Sequence, residues 1–153
     1  MWEQAFPFSF LSNPPWQIKK HDRRVLDVGC GRGFVSLGPA RIIGEKGRVI
    51  AADLQPEMLQ MVRERSEKYR VTDRIEFHQC RDKDIGVSEN VDFALAFWMA
   101  HEVPDTEAFL KKIYSLLKPG GRFFVAEPVI HVSRKVFERM IQKAILTRWL
   151  PLS

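Results

Sequence analysis

Residues 27–33 read Asp-Val-Gly-Cys-Gly-Arg-Gly and constrain the fold more than any other segment. They overlap a short apolar run, Val25–Val28, which ends in glycine and therefore predicts a buried strand. Glycine turns the backbone sharply and lets a ligand approach without a Cβ in the way. A helical pattern follows over residues 34–43, in which Gly38 and Pro39 predict a kink or a late start. The segment is thus predicted as a strand, a glycine loop and a helix.

The rest of the chain alternates between strand and helix signals. Further strands are predicted at Arg48–Ala52, Ile75–Gln79, Val91–Phe97 and Arg122–Ala126. Helices are predicted from Pro56 with Leu59, Val62, Ser66 and Tyr69 on one face, from Asp105 or Thr106 with Phe109, Leu110, Ile113, Leu116 and Leu117 inward, and over His131–Trp149. Pro119-Gly120-Gly121 predicts a turn before the last strand. Strands separated by helices require right-handed crossovers, so the fold class is α/β, a Rossmann-like, mostly parallel sheet with helices on both faces.

The composition bounds the class of protein. The 153 residues suit one domain, and 45% apolar with 28% charged residues argues against extensive disorder. We expect an aromatic and basic arm over residues 1–23 and a single domain over residues 24–153. No apolar run approaches the roughly 20 residues that cross a bilayer. The start of the chain lacks the basic leader of a secretory signal.

Cysteine and charge content narrow the partners. Two cysteines, Cys30 and Cys80, are too few for a disulfide framework or a zinc site, so we expect no metal and a reducing, cytoplasmic setting. The formal charge of +5 and the pI near 9.4 permit an anionic partner. The basic residues cluster at Lys19–Arg24 and Arg134–Arg148 without the aromatic platform motif of nucleic-acid binders. A solvated surface is therefore favoured over a nucleic-acid site.

The position of a ligand follows from the topology. In an open parallel sheet, ligands bind beyond the carboxyl ends of the strands, where the strand order reverses. The chemistry should therefore lie just after Val28, Ala52, Gln79 and Phe97. A dinucleotide-binding loop, G-x-G-x-x-G, would need glycine at its sixth position, where this chain has Phe34. The loop thus departs from the dinucleotide pattern.

The loop resembles instead the first motif of Rossmann-like (class I) S-adenosylmethionine-dependent methyltransferases, with an acid before the first glycine, Asp27, and a third glycine, Gly33. The resemblance runs from Arg24 to Pro128 and includes VLDVGCGRG at 25–33, VIAADL at 49–54, VDFALAFWMAHEVPD at 91–105 and LLKPGGRFFVAEP at 116–128. HEVPD and LLKPGG resemble the branch that acts on quinones and other small molecules. The alternative is an unrelated α/β fold with a glycine turn.

The resemblance implies a site for S-adenosyl-L-methionine. Asp27 would orient the glycine loop and the amino group of the cofactor. Asp53 would accept hydrogen bonds from both ribose hydroxyls, because a carboxylate offers two acceptor oxygens to a vicinal diol; a helix-capping acid is the alternative. The other implied contacts are Gly29, Cys30, Gly31 and Gly33 beneath the methionine part, Leu54 and Met58 beside the adenine, Arg81 and Asp82 after the third strand, and Phe97 and Trp98 beside the cofactor or the acceptor. Plain core packing is the alternative for the apolar members.

Two places depart from the family pattern. After the third strand, Arg81 stands where the adenine-binding acid is expected, so Asp82 is assigned after a slip of one residue. After Pro128 about 25 residues remain, which suits a helix but not the usual antiparallel strand pair as well. The fifth strand would then be an exposed edge. The aromatic arm or a second copy in a homodimer would cover it, or else the chain is a fragment.

The segment after the fourth strand holds the candidate catalytic residues. Methyl transfer from a sulfonium is an in-line displacement, and a general base is needed only if the acceptor arrives protonated. His101 is the natural base, because histidine titrates near neutrality, and Glu102 is the second choice. A surface histidine or a loop-ordering hydrogen bond is the alternative reading of His101.

Three functions stay open at this point. The first is a methyltransferase with a small-molecule acceptor, and the second is a cofactor-binding module without catalysis. The third is a methyltransferase that acts on nucleic acid, motivated by the pI and by Asn13-Pro-Pro-Trp16. That tetrapeptide resembles a signature of nucleobase methyltransferases, although a proline turn is the favoured interpretation.

Overall fold

The computed structural model describes residues 18–19, 21–127, 130 and 132–146. Within them, strands and α-helices alternate in the order β1 (Arg24–Val28), α1 (Leu37–Ile42), β2 (Arg48–Asp53), α2 (Pro56–Lys68), β3 (Ile75–Gln79), β4 (Val91–Phe97), α3 (Thr106–Leu116), β5 (Leu117–Ala126) and α4 (Arg134–Leu146). Single 3-10 turns lie at Thr72–Arg74 and Ala100–Glu102. The predictions on residues 1–17, which include Asn13-Pro-Pro-Trp16, and on residues 147–153 lie outside the described residues.

The five strands form one sheet in the order β3-β2-β1-β4-β5, and every pair of neighbours is parallel. The chain builds outward from β1 to β3 and then crosses to the other side of β1 for β4. The strand order therefore reverses between β1 and β4, which is where such sheets bind ligands. This architecture confirms the predicted Rossmann-like class. An antiparallel strand pair does not occur among the residues that the structure describes.

The central strands are buried on both faces. In β1, Val25 belongs to the apolar cluster beneath α1 and α2, whereas Leu26 belongs to the cluster beneath α3 and α4. Both side chains are 0% exposed. Successive side chains of a strand point to opposite faces, so a strand covered on both sides needs an unbroken apolar run. The run that predicted β1 from sequence has this physical origin.

The helix ends follow local chemistry, with one departure. Helix α1 starts late, at Leu37, as Gly38 and Pro39 predicted. The N-cap of α3 is Asp105, whose carboxylate accepts a hydrogen bond from Ala108 N at 3.0 Å. Tyr69, predicted to continue the helical spacing of α2, instead lies just past the helix, at its C-cap, and is 40% exposed.

Strand β5 begins earlier than predicted. Leu117, predicted to end the helix, already pairs with Val91, and the next pair in register is Phe93 with Arg122. Residues 118–121 therefore form an excursion within the strand, with Gly120 at a φ of +76°. The predicted turn is present, but it interrupts β5 instead of preceding it. Pro119 lacks the backbone N–H that pairing between strands needs, so the pairing of β5 with β4 is broken at this turn.

Gly33 closes the packing between the glycine loop and α2. Its φ is +74°, and a Cβ added there would lie 2.8 Å from both methyl carbons of Val62. Gly44, which follows α1, has a similar φ of +75° but open space around it. A substitution of Gly44 by alanine therefore adds backbone strain alone, whereas the same substitution of Gly33 adds strain and a steric overlap with Val62.

We expect Gly44→Ala to lower the free energy of unfolding by roughly 1–2 kcal/mol, the strain of a left-handed alanine. Gly33→Ala should lower it by that amount and by about 1–3 kcal/mol more, because the new methyl overlaps Val62. Urea unfolding measures both changes. In Gly33→Ala/Val62→Ala the steric part should shrink. Equal losses for the two single variants would contradict this account of Gly33.

Candidate functional site

A cleft opens beyond the carboxyl ends of β1 to β4, at the predicted place. Its volume is about 1080 Å³, at the upper end of the roughly 300–1,000 Å³ typical of small-molecule sites. Four segments line it, one after each strand: Val28–Arg32, Asp53–Gln55, Cys80–Ile85 and Phe97–Met99. The cleft therefore has room for a nucleoside-sized ligand together with part of a second molecule.

Asp53 joins the end of β2 to the glycine loop. One carboxylate oxygen accepts the Gly31 N–H at 2.8 Å, and the other accepts the Gln55 N–H at 2.9 Å. Gln55 is the N-cap of α2, so Asp53 holds the residue before the helix rather than the N–H groups of its first turn. Each carboxylate oxygen has a second lone pair, so Asp53 can still accept hydrogen bonds from a ligand in the cleft.

The three glycines of the loop all have a left-handed backbone conformation, but their surroundings differ. Gly29, Gly31 and Gly33 have φ values of +66°, +51° and +74°. Gly31 faces open space, whereas a Cβ on Gly29 would lie 2.8 Å from Cγ of Met99. Gly29 and Gly31 line the cleft, and Gly33 lies outside its lining, buried against α2. The position of Gly33 gives it a packing contact with Val62, and its contact with a ligand stays a prediction.

Asp27 is a buried acid beneath the loop. Asp27 is 1% exposed, and its Oδ2 accepts a hydrogen bond from the Ser36 hydroxyl at 2.5 Å. Burial raises the pKa of Asp27 from 3.8 to about 7; the Ser36 hydroxyl opposes this shift and the nearby Asp53 carboxylate adds to it. Asp27 can therefore change its charge near neutral pH when a ligand changes its surroundings.

The two cysteines face the same cleft as unpaired thiols. Burial raises the pKa of Cys30 far above its ordinary value, and it raises the pKa of Cys80 to about 11. Both thiols are therefore protonated at neutral pH, and only a thiolate acts as a nucleophile.

The segment after β3 makes a tight turn that brings two acids to the cleft. Arg81 and Asp84 exchange backbone hydrogen bonds of 2.9 and 3.1 Å, which leaves Asp82 at the exposed tip. Asp84, which sequence reasoning missed, accepts the Gly86 N–H at 3.0 Å and lies 3.7 Å from Lys112 Nζ. Both acids line the cleft together with Arg81. Asp82 lines the cleft, as its assignment after a slip of one residue requires, and its contact with the adenine stays a prediction.

Leu54 and Met58 also line the cleft, on the α2 side. Leu54 is 51% exposed, so core packing does not explain it, and Met58 is half-buried. Phe97 and Trp98 line the opposite part, at the end of β4. Contact of Leu54 and Met58 with the adenine, and of Phe97 and Trp98 with the cofactor or the acceptor, stays a prediction.

The two predicted bases lie differently. Glu102 lines the cleft, whereas His101 lies outside its lining. Nδ1 of His101 is 2.5 Å from Oε2 of Glu127, and the His101 backbone N–H donates to Oε1 at 3.2 Å. The Glu127 side chain is 2% exposed. A hydrogen bond that orders the loop, the alternative reading of His101, is thus present.

Sequence reasoning missed Glu127, although the parallel register explains its position. Phe97 pairs with Ala126, so the residues that follow β4 and β5 must lie side by side.

The described part of the chain holds no group of three histidine, cysteine or acidic side chains that could hold a metal ion. None of its helices combines the length and apolarity needed to cross a membrane.

The chain matches a family described as a methyltransferase domain over residues 19–150. It is 31% identical over 123 residues to the ubiquinone/menaquinone biosynthesis C-methyltransferase of Klebsiella pneumoniae, a match that covers 78% of this chain and 49% of that protein. It is 30% identical over 120 residues to the Vibrio cholerae protein of the same name, a match that covers 76% of this chain and 46% of that protein. The chain thus spans about half the length of these curated relatives.

Solved structures share the fold. A SAM-dependent methyltransferase of Aquifex aeolicus superposes with a TM-score of 0.75 at 24% identity, covering 93% of this chain and 85% of that one. A SAM-dependent O-methyltransferase of Thermotoga maritima gives 0.67 at 26% identity, covering 89% of this chain and 46% of that one. Together with the cleft, these similarities confirm the resemblance carried by the sequence motifs: the chain belongs to the Rossmann-like, S-adenosylmethionine-dependent methyltransferase family.

Proposed function

We propose that this chain binds S-adenosyl-L-methionine in the cleft and transfers a methyl group to a small-molecule acceptor. The observation that carries the proposal is the Asp53 carboxylate, which already holds the glycine loop through Gly31 and still faces the cleft. The names of the curated relatives, C-methyltransferases of ubiquinone and menaquinone biosynthesis, support a small-molecule acceptor. When bound, the cofactor supplies a methyl group on a positively charged sulfur.

The residues present fit this cofactor. The open space over Gly31 lets a ligand approach the backbone, and Asp53 can accept hydrogen bonds from a sugar diol. Asp27 supplies a second acid beneath the loop, so the region is suited to a cationic group. Leu54 and Met58 provide apolar surface on the β2 side, where we place the adenine, with Asp82 as its polar partner.

Acid–base chemistry falls to the segment after β4. We propose that Glu102, which lines the cleft, takes the proton of an acceptor that arrives protonated. His101 and Glu127 then fix the segment that carries Glu102. The geometry thus supports Glu102 ahead of His101, the reverse of the order that residue chemistry alone favoured.

We further propose that a homodimer covers the outer edge of β5. The position of β5 supports this, because it is the last strand of the described sheet and a sheet can be extended through its outermost strand. We also propose a cytoplasmic location, which the unpaired cysteines support because disulfides are rare there.

A cofactor-binding module without catalysis is the second candidate function. The observation that favours it is the segment after β3, where Arg81 stands at the position expected for the adenine-binding acid. Calorimetry with S-adenosylhomocysteine and a mass-shift screen of small-molecule acceptors separate the two. Binding with a methylated product supports our proposal, binding with no product on any acceptor class supports the module, and no binding at millimolar ligand contradicts both.

The first prediction concerns Asp53. Asp53→Ala should weaken S-adenosylhomocysteine by roughly 10- to 100-fold, because it removes the diol acceptors and the anchor of Gly31. Asp53→Asn keeps one acceptor oxygen and should lose less. Isothermal titration calorimetry measures both, with thermal unfolding as the control for a folded protein. A parent-like affinity in Asp53→Ala would refute the assignment of this acid.

A second prediction concerns proton release. Free Asp27, with a pKa of about 7, is mostly protonated near pH 6, and a cationic ligand beside it should lower that pKa. Binding of S-adenosylmethionine near pH 6 should therefore release a proton, and affinity should rise with pH up to about 7. Calorimetry in two buffers of different ionisation enthalpy measures the release. It should vanish in Asp27→Asn, and equal heats in both buffers for the parent would contradict the coupling.

The raised pKa of Asp27 also contributes to the pH dependence of stability of the free protein. The folded state holds the Asp27 proton up to about pH 7, whereas the unfolded chain releases it near 3.8. The contribution of Asp27 to stability is thus fully present below pH 3.8 and falls as pH rises to about 7. Asp27→Asn should remove this decline in urea unfolding between those values. An unchanged slope would count against the raised pKa.

Another prediction concerns His101. His101→Ala leaves the buried Glu127 carboxylate without its imidazole partner and should lower the free energy of unfolding by about 1–3 kcal/mol. Glu102→Ala, a change at the exposed neighbour, is the matched control and should stay within about 0.5 kcal/mol of the parent. Urea unfolding compares them, and equal stability of the two variants would remove the structural role of His101.

A further inference from the structure

Trp98 adopts a backbone conformation that bulky residues avoid. Its φ is +57°, in the left-handed region. The other non-glycine residue described there is Arg70, at +56°, which follows the C-cap of α2, where a left-handed residue ordinarily ends a helix. Trp98 follows a strand, so helix termination does not explain it. Backbone strain of this kind concentrates at functional sites.

The left-handed turn has a visible consequence for the side chains. Phe97 ends β4, and along a regular strand its neighbour would point to the opposite face of the sheet. Instead the Phe97 and Trp98 rings stack, with centroids 5.1 Å apart and planes 18° from parallel. The Trp98 N–H is held by the Ala126 carbonyl at 2.8 Å, so the turn is anchored to β5. The strain thus assembles a flat aromatic surface from two consecutive residues.

This surface lies on the acceptor side of the cleft. The strand order β2-β1-β4 places Asp53 at one end, the glycine loop in the middle and the aromatic pair at the other end. Met99, the next residue, packs against Gly29 in the loop. Val103 and Pro104 add apolar lining on the same side. A ligand part beside the pair would lie beyond the sugar and the glycine loop.

We propose that Trp98, stacked on Phe97, is a specificity-determining residue that selects acceptors with a planar ring. The inference rests on the proposed function, because it takes the Asp53 side of the cleft as the cofactor side. An aromatic face favours offset stacking with another flat ring, whereas a puckered ring of equal size makes fewer contacts. The strained turn keeps the surface in place before a ligand arrives. The competing occupant is the cofactor itself.

The experiment uses a flat probe and a puckered one. The affinities of 1-naphthol and decahydro-1-naphthol are measured by calorimetry on protein saturated with S-adenosylhomocysteine. The parent should prefer 1-naphthol by about tenfold, Trp98→Phe should keep most of that preference, and Trp98→Gly should lose it. Affinity for S-adenosylhomocysteine should stay within about twofold in Trp98→Gly. Arg70→Gly, which relaxes the same strain away from the cleft, is the matched control and should change neither affinity.

Other outcomes overturn the proposal. Equal affinity of the parent for both probes, or an unchanged preference in Trp98→Gly, would remove the role of Trp98. A tenfold loss of S-adenosylhomocysteine binding in Trp98→Gly with naphthol binding intact would assign the pair to the cofactor. If the parent does not bind S-adenosylhomocysteine, the proposed function fails. The probe comparison on the ligand-free cleft then still decides the aromatic surface.

Discussion

The hydrogen bond from the Gly31 N–H to Asp53, 2.8 Å long, is the contact on which the rest of the site depends. It ties the loop after β1 to the end of β2, and the second Asp53 oxygen is fixed in turn by the Gln55 N–H. A loop with three left-handed glycines has great conformational freedom when nothing holds it. The acid that we assign to the sugar therefore also sets the shape of the surface beneath the rest of the ligand, before any ligand binds.

The sequence predicts well where burial on two faces dictates the residue types. The bounds of β4, Val91–Phe97, agree with those predicted, because a strand buried between helices needs a nearly continuous apolar run. The bounds of β3, Ile75–Gln79, agree as well, although this edge strand is only partly buried. The position of the cleft follows as well, since the order of strands and helices sets the switch point between β1 and β4. Local chemistry adds the cap at Asp105 and the late start of α1.

Contacts that depend on register between distant segments could not be predicted in this way. Glu127 meets His101 only because β4 and β5 end side by side, which residue periodicity does not reveal. The Pro119–Gly121 turn is visible in the sequence, but its place inside β5 depends on the pairing of Leu117 with Val91. The aromatic stack is hidden for a related reason, because alternation along a strand would separate Phe97 from Trp98.

The charges of the cleft argue for the kind of ligand independently of any motif. Asp27 and Asp53 flank the glycine loop, and repulsion from the Asp53 carboxylate adds to the burial that raises the pKa of Asp27. An anionic pyrophosphate placed on this loop would add to that repulsion, whereas a cationic sulfonium or ammonium group would relieve it. The two acids beside the loop therefore favour a positively charged ligand over a phosphate, and burial keeps Asp27 partly protonated near neutral pH in the absence of such a ligand.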